Sequence, residues 1–205
     1  MDLTIGVDIG GTKIAAGAVD ERGQIVEKVR RETPAKDSSA IRSAIVDAIT
    51  ELRTRHKVAA VGLGAAGFVD AKRSRVLIAP NMAWRDEPLR SNLEDVLGLT
   101  VVVENDANAA AWGEFMFGAG EDVDDLLMVT VGTGVGGGVV LDGELHRGAF
   151  GAAGEIGHFR VVPHGRPCPC GNRGCWEQYA SGSALTREAR ELAQERSPQA
   201  DTVLE

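Results

Sequence analysis

A chain of 205 residues with 43% hydrophobic side chains suits a globular core and allows one large domain or two modest ones. Its formal net charge of −8 argues against a nucleic-acid binder, whose phosphate contacts need a basic surface, while leaving open a local basic site for a nucleotide. No signal peptide is expected, because Met1 runs almost directly into an apolar strand pattern, and the longest apolar run, residues 128–141, is too short and too rich in glycine to span a membrane.

Residues 3–8 read as a strand, Gly10-Gly11-Thr12 as a turn, and Lys13–Val19 as a second, small and apolar strand. A loop at 20–23 leads to a third strand over 24–32. The first turn, DIGGTK at 8–13, places successive glycines at a hairpin tip, where exposed N–H groups can form an anion-binding nest. Thr12 adds a hydroxyl, and Asp8 a carboxylate able to face a magnesium ion. The spacing is not that of a Walker P-loop, and no helix follows. An ordinary glycine hairpin is the competing reading.

Residues 38–57 read as an amphipathic helix whose stripe, Ile41, Ala44, Ile45, Ala48, Ile49 and Leu52, is core packing without chemistry. Val58–Ala65 reads as a short buried strand ending in Gly64-Ala65-Ala66-Gly67, with Gly67 allowing close approach of a neighbour or ligand. Strands at 68–70 and Val76–Ile78 flank a basic turn, 72–75, read as a solvated tip. Asn81 offers a donor and an acceptor together, which suits a sugar hydroxyl, although an Asn in a turn is usually structural. Pro88 starts a short helix through Leu97, closed by Gly98.

Residues 100–103 read as a buried β-branched strand ending in Glu104-Asn105-Asp106, and 107–117 have the alanine-rich composition of a helix. Asp106 thus stands where a central strand meets a helix N-terminus, beyond which α/β proteins often bind ligands. Capping is the competing role, but a cap does not require Asn and Asp side by side. The acidic loop 118–125 reads as a hinge or domain boundary. Leu126–Val131 is a strand, GTGVGGG at 132–138 a turn, and 139–141 a further strand. Strand, Gly-Thr turn, strand therefore occurs twice, which suggests a duplicated fold with two glycine turns facing one phosphate tail. Residues 143–154 read as a mobile glycine-rich loop. The polar helix 181–195 is capped by Ser183 and takes its apolar residues from Ala184, Leu185, Ala189 and Leu192. Residues 197–205 read as a linker or frayed tail.

The organising stretch is GEIGHFRVVPHGRPCPCGNRGCWE at 154–177. It holds all three cysteines, Cys168, Cys170 and Cys175, with His158 ahead of them in the pattern H-x9-C-x-C-x4-C. Three thiolates and one imidazole make a closed tetrahedral zinc site, and the prolines and glycines between them let the chain bend around one ion. Cysteines used as metal ligands fit a reducing cytoplasm better than a disulfide scaffold. Glu155 and Glu177 bracket the knot, so a zinc-braced loop would fix both. If the second ring nitrogen of His158 meets a substrate hydroxyl, that residue serves metal and substrate together.

DIGGTK, ENDANAAAWGE at 104–114, GTGVGGG, GEIGH at 154–158 and CPCGNRGCWEQYASG at 168–182 occur along nearly the whole chain. In that order they resemble the ROK family of bacterial sugar kinases and repressors, most nearly its ATP-dependent glucokinases of actinobacterial type. The resemblance implies an α/β, actin-like (ribonuclease H-like) fold of two lobes: 1–117 the smaller, 118–205 the start of the larger, with a zinc-binding loop at 158–175. It implies Asp106 as general base for the sugar 6-hydroxyl attacking the γ-phosphate of ATP. Gly67, Asn81, Asn105, Glu155, His158 and Glu177 match the sugar site. Asp8, Gly10, Gly11, Thr12, Lys13, Thr133 and Gly134 match the phosphate and magnesium region. His158, Cys168, Cys170 and Cys175 match the zinc ligands. Expected cofactors are a structural Zn²⁺ and Mg²⁺ with ATP; expected partners are glucose or a related hexose and ATP, with no nucleic acid or membrane.

Glucokinases of the family are longer, so a truncated chain is expected, with the second lobe incomplete and much of the adenosine pocket and the final helix missing. A homodimer or homotetramer is expected at full length. The rival readings are a kinase for another hexose such as N-acetylmannosamine, polyphosphate as donor, and a non-catalytic sugar-binding fragment. The family's repressors carry a helix-turn-helix ahead of the kinase-like part, for which a strand starting at Leu3 leaves no room.

Overall fold

The computed structural model describes residues 2–196, so the tail expected at 197–205 lies outside the described residues. The first strands are β1 (Leu3–Ile9), β2 (Lys13–Val19) and β3 (Ile25–Glu32), followed by helix α1 (Ser38–Arg53) and strand β4 (Val58–Ala65). Short strands β5 (Phe68–Val69), β6 (Val76–Ile78) and β7 (Arg85–Glu87) precede α2 (Leu89–Leu97), β8 (Thr100–Asn105) and α3 (Asp106–Phe117). Then come β9 (Leu126–Val131), β10 (Val135–Leu141) and β11 (Glu144–Leu145), a 3₁₀ turn at Ile156–His158, and helices α4 (Glu177–Ala180) and α5 (Gly182–Arg196). The chain divides into two compact units. The first runs through Leu127 and adds Gly138–Gly154; the second takes Met128–Gly137 and the chain from Glu155.

In the first unit a five-stranded sheet has the order β3-β2-β1-β4-β8. Strands β1, β2 and β3 pair antiparallel, and β1, β4 and β8 run parallel. Alternation decides which face is buried: Ile5, Val7 and Ile9 point into the core, while Thr4, Gly6 and Asp8 are exposed. The stripe of α1 meets this face, with Ile41, Ile45, Ala48, Ile49 and Leu52 fully buried. Burying each of the larger four is worth roughly 1.5–3 kcal/mol over leaving it in water. Asp37 rather than Ser38 caps α1, accepting from the amides of Ser39 and Ala40. The helix stops at Arg53 instead of reaching 57, because the amides of Arg55 and His56 turn back onto the Leu52 carbonyl. Pro88 and the left-handed Gly98 bound α2 as expected.

The parallel register aligns three strand ends. Asp8 is level with Gly64 and Gly64 with Glu104; Ile9 is level with Ala65 and Ala65 with Asn105. Strand β8 lies at the sheet's edge, and its outward amides are closed by other groups: Val101 by Glu94 Oε1 (3.0 Å), Val103 by the Arg73 carbonyl (3.4 Å) and Asn105 by Glu104 Oε1 (3.1 Å). The carbonyl of Arg73 belongs to the turn between β5 and β6, which Asp70 organises by accepting from Ser74 N (2.7 Å), Arg75 N (2.9 Å) and Ser74 Oγ (2.8 Å). Burial pushes the Asp70 carboxyl up, but these bonds and the Arg75 charge win and hold it below the usual carboxylate range. The basic turn is therefore more than a solvated tip: Arg75 pairs with Asp86 at 2.7 Å, and Arg73 reaches Glu104 at 3.4 Å. Strand β7, sequence RDE, carried no apolar alternation to betray it.

Strands β9, β10 and β11 form a sheet in the order β11-β10-β9. Strand β10 begins at Val135, four residues before the expected 139, and so includes three glycines. For Gly138 the reason is space: a Cβ there would run into Ala111 and come within 3.1 Å of the Ala107 carbonyl on α3. In the second unit Ser181, not Ser183, caps α5, its Oγ accepting from Ala184 N at 3.0 Å. Of the apolar residues expected to seat that helix, Ala184 is buried, while Ala189, Leu185 and Leu192 are exposed. Among the described residues no helix is long and apolar enough to cross a membrane.

Candidate active site and metal centre

Because β1, β4 and β8 are parallel and in register, their carboxyl ends bring together Asp8, the Gly10-Gly11-Thr12 turn, Gly67, Asn105 and Asp106. Asn81 joins them: a Cβ on Gly11 would lie 3.1 Å from Asn81 Cβ. Gly67 is needed for close packing, since a Cβ there would sit 2.6 Å from the Ile78 carbonyl. Neither Gly10 nor Gly11 has a positive φ, and the Gly10 amide donates to the Lys13 carbonyl at 3.0 Å. Gly11 thus serves proximity to Asn81 more than a left-handed nest. Thr33 Oγ1 pins the turn through the Gly10 carbonyl at 2.7 Å, and Asp8, Thr12 and Lys13 stay exposed.

Asn105 is the buried cap of α3. Its Oδ1 accepts from Asn108 N (2.9 Å), and its Nδ2 donates to the Gly67 carbonyl and to Asp106 Oδ1 (both 3.1 Å). One side chain therefore ties β4 to β8 and orients its neighbour. Asp106 Oδ1 also accepts from Ala107 N at 3.0 Å. Burial raises the Asp106 carboxyl above its usual range; the Ala107 amide opposes this and the Asp8 charge adds to it. Glu104, which the sequence reading did not single out, lies behind this pair and is buried beside Arg147 at 2.7 Å.

In the second unit His158, Cys168, Cys170 and Cys175 converge, their ligand atoms all within 4.8 Å of one another, a set that could hold a metal ion. His158 Nδ1 is 3.6 Å from Cys168 Sγ, and the sulfurs of Cys170 and Cys175 are 3.7 Å apart, far beyond disulfide length. Burial and the adjacent thiols push Cys175 up to about 12, and burial also raises Cys168. Such a cluster resists ionisation until a cation compensates it. Gln178 Nε2 lies 3.7 Å from Cys168 Sγ, a contact absent from the sequence reading. His158 turns its other nitrogen, Nε2, toward Glu155 at 3.8 Å.

Glu177 is held by the β9–β10 turn, with Val135 N donating to its Oε2 at 3.1 Å. A Cβ on Gly134 would strike that carboxylate, so the glycine makes room for it. The amides of Gly182 and Ser183 donate to the carbonyls of Gly132 and Thr133, which ties the start of α5 to the same turn. A groove of about 610 Å³ opens there, lined by Thr133, Ser183, Thr186, Arg187 and Arg190 among others. Arg187 Nε is itself buried without a hydrogen-bond partner, and Nη2 of the same side chain donates to the Gln178 carbonyl. Apart from Thr133, these side chains had no motif of their own to mark them.

The ROK family pattern matches residues 4–204. Glucokinase from Streptomyces coelicolor is 53% identical over 204 residues, covering 100% of this chain and 64% of that protein. Glucokinase from Halalkalibacterium halodurans is 43% identical over 194 residues, covering 91% of this chain and 59% of its own length. The crystal structure of a ROK family glucokinase from Streptomyces griseus in complex with glucose and AMPPNP superposes with a TM-score of 0.87 at 56% identity, over 96% of this chain and 62% of that one. The chain thus spans under two thirds of the length of these relatives, in the same mixed α/β, actin-like sugar-kinase fold. With five motifs in order and the family pattern running almost from end to end, the chain belongs to the ROK family.

Proposed function

We propose that this chain carries the sugar-phosphorylating machinery of a glucokinase, transferring the γ-phosphoryl group of ATP to the 6-hydroxyl of glucose. The observation that carries this reading is Asp106: a carboxylate at the carboxyl end of β8, the edge strand and not the central one that the sequence suggested, fixed through one oxygen and raised above its ordinary range. With Oδ1 committed to two donors, Oδ2 takes the proton from O6. The freed oxygen attacks the γ-phosphorus, and the bond to the bridging oxygen of ADP breaks. General-base assistance of this kind contributes about 10²–10⁴-fold. In the first unit, Asn81, Asn105 and the Gly67 backbone are the proposed partners of the sugar hydroxyls; in the second, taken by itself, Glu155, His158 and Glu177 are proposed as polar groups able to bind hydroxyls. A missing hydroxyl would leave these groups unpaired, which discriminates strongly between sugars.

Thr133 with the neighbouring Gly134, and the groove that Thr133, Arg187 and Arg190 line, support binding of the polyphosphate tail. Asp8, Gly10, Gly11, Thr12 and Lys13 are assigned to the same phosphates and their metal. Mg²⁺, when bound, supplies charge neutralisation on the phosphates. The cysteine cluster is assigned to zinc: thiolates about 2.3 Å from a tetrahedral ion lie roughly 3.8 Å apart, against 3.7 Å for Cys170 and Cys175. The ion braces the loop that bears Glu155 and Glu177. The reading is tested by a coupled ADP-release assay of the purified chain with Mg-ATP and a hexose panel. Glucose-dependent turnover is expected; sugar-independent hydrolysis alone, or a preference for N-acetylmannosamine, overturns the substrate assignment.

A further inference from the structure

We propose that Glu104 is a positioning residue for the transfer reaction, fixing the strand end that carries Asn105-Asp106 and the loop 143–154 to one another; this rests on the kinase reading above. Its carboxylate is buried in a strand whose neighbours Val101 and Val103 are wholly buried. A charge is tolerated there only when paired. Oε1 accepts from Asn105 N (3.1 Å) and Asn108 Nδ2 (3.3 Å), the residues that frame Asp106. Oε2 accepts from Arg147 Nε (2.7 Å), and Arg73 Nε lies 3.4 Å away as an ion pair.

Arg147 closes the loop on itself. Its Nη1 donates to the Leu145 carbonyl at 3.2 Å, and its own carbonyl accepts from Ala153 N at 3.1 Å. The loop 143–154 runs directly into Glu155. Capping the Asn105 amide needs only a neutral acceptor, which a glutamine would provide. The negative charge is required for the arginines alone, so the loop's attachment is what the carboxylate adds. Arg147 attaches the loop to the strand end through Glu104 while touching neither Asp106 nor the metal cluster in any bond described above.

The test uses the 205-residue chain with E104Q and R147M, read by hydrogen exchange over residues 146–153 and by steady-state kinetics. Both variants are expected to speed exchange in that loop by about ten-fold or more as its local closure is lost. Both are expected to lower kcat by on the order of 10–100-fold through misplacement at the reacting atoms, with KM for ATP unchanged. Unchanged loop exchange, or kcat within about two-fold of the parent in soluble variants, overturns the proposal. If E104Q fails to fold, R147M decides, since it leaves Glu104 paired with Arg73. A parent chain without hexose-dependent turnover rejects the kinase reading, and loop exchange then decides the attachment by itself.

Discussion

Asp106 and Asn105 divide their duties by atom: Asn105 uses its amide to cap α3 and hold Asp106, which leaves Asp106 one oxygen for chemistry. Asp106→Asn is expected to lower kcat by about 10²–10⁴-fold while glucose binding, read by titration calorimetry, stays near that of the parent; near-normal turnover would sink the assignment. The raised carboxyl sets the pH behaviour. On the proposed general-base role, the acid limb of kcat/KM is expected above the ordinary carboxylate range, because such a base works only when ionised. Stability runs the other way. A folded-state value above the unfolded one favours the protonated native state, so Asp106's contribution is full below the unfolded value and lost as pH rises through the folded one. Asp106→Asn removes that loss and is expected to melt higher than the parent at neutral pH. The placement of Asp106 was legible because strand, Asx pair and alanine-rich helix follow one another over residues 100–117. Glu104 was not: its partner Arg147 is 43 residues away, and nothing local distinguishes a buried acid from an exposed one.

At the scale of elements, the sequence announced periodicity better than boundaries. The stripe of α1 named its buried face correctly, while its end at Arg53 depended on where the chain had to turn to enter β4. Glycines misled in β10, where they mean a strand pressed against α3 and not a longer turn. The sequence pointed to Ser183 as the cap of α5, whereas Ser181, two positions earlier, holds the Ala184 amide. Ser181→Ala is expected to destabilise the fold by about 1 kcal/mol, seen as a lower denaturation midpoint, and Ser183→Ala to leave that midpoint unchanged.

For the molecule as a whole, the cysteine motif was the most legible feature, since metal ligation restricts both residue type and spacing. Its prediction is direct. Cys170→Ala is expected to lose bound zinc, measured by elemental analysis, and with it at least about ten-fold in glucose affinity, since disturbing a metal's surroundings by even one partner typically costs 10–100-fold. Glucose affinity that survives loss of the ion would separate the metal from the sugar site. The chain passes between its two compact units three times, within β9, within β10 and after Gly154.

The closed edge of β8 has a bearing on solubility. A sheet whose last strand shows free amides invites another chain to add to it, the first step toward fibrils. Here Glu94, Arg73 and Glu104 occupy those amides. Glu94 is held below the usual carboxylate range, chiefly by the Val101 amide and then by Arg90, so it keeps accepting in mildly acidic solution. Protection against strand addition therefore resides in three individual acceptors, not in the net negative charge of the surface.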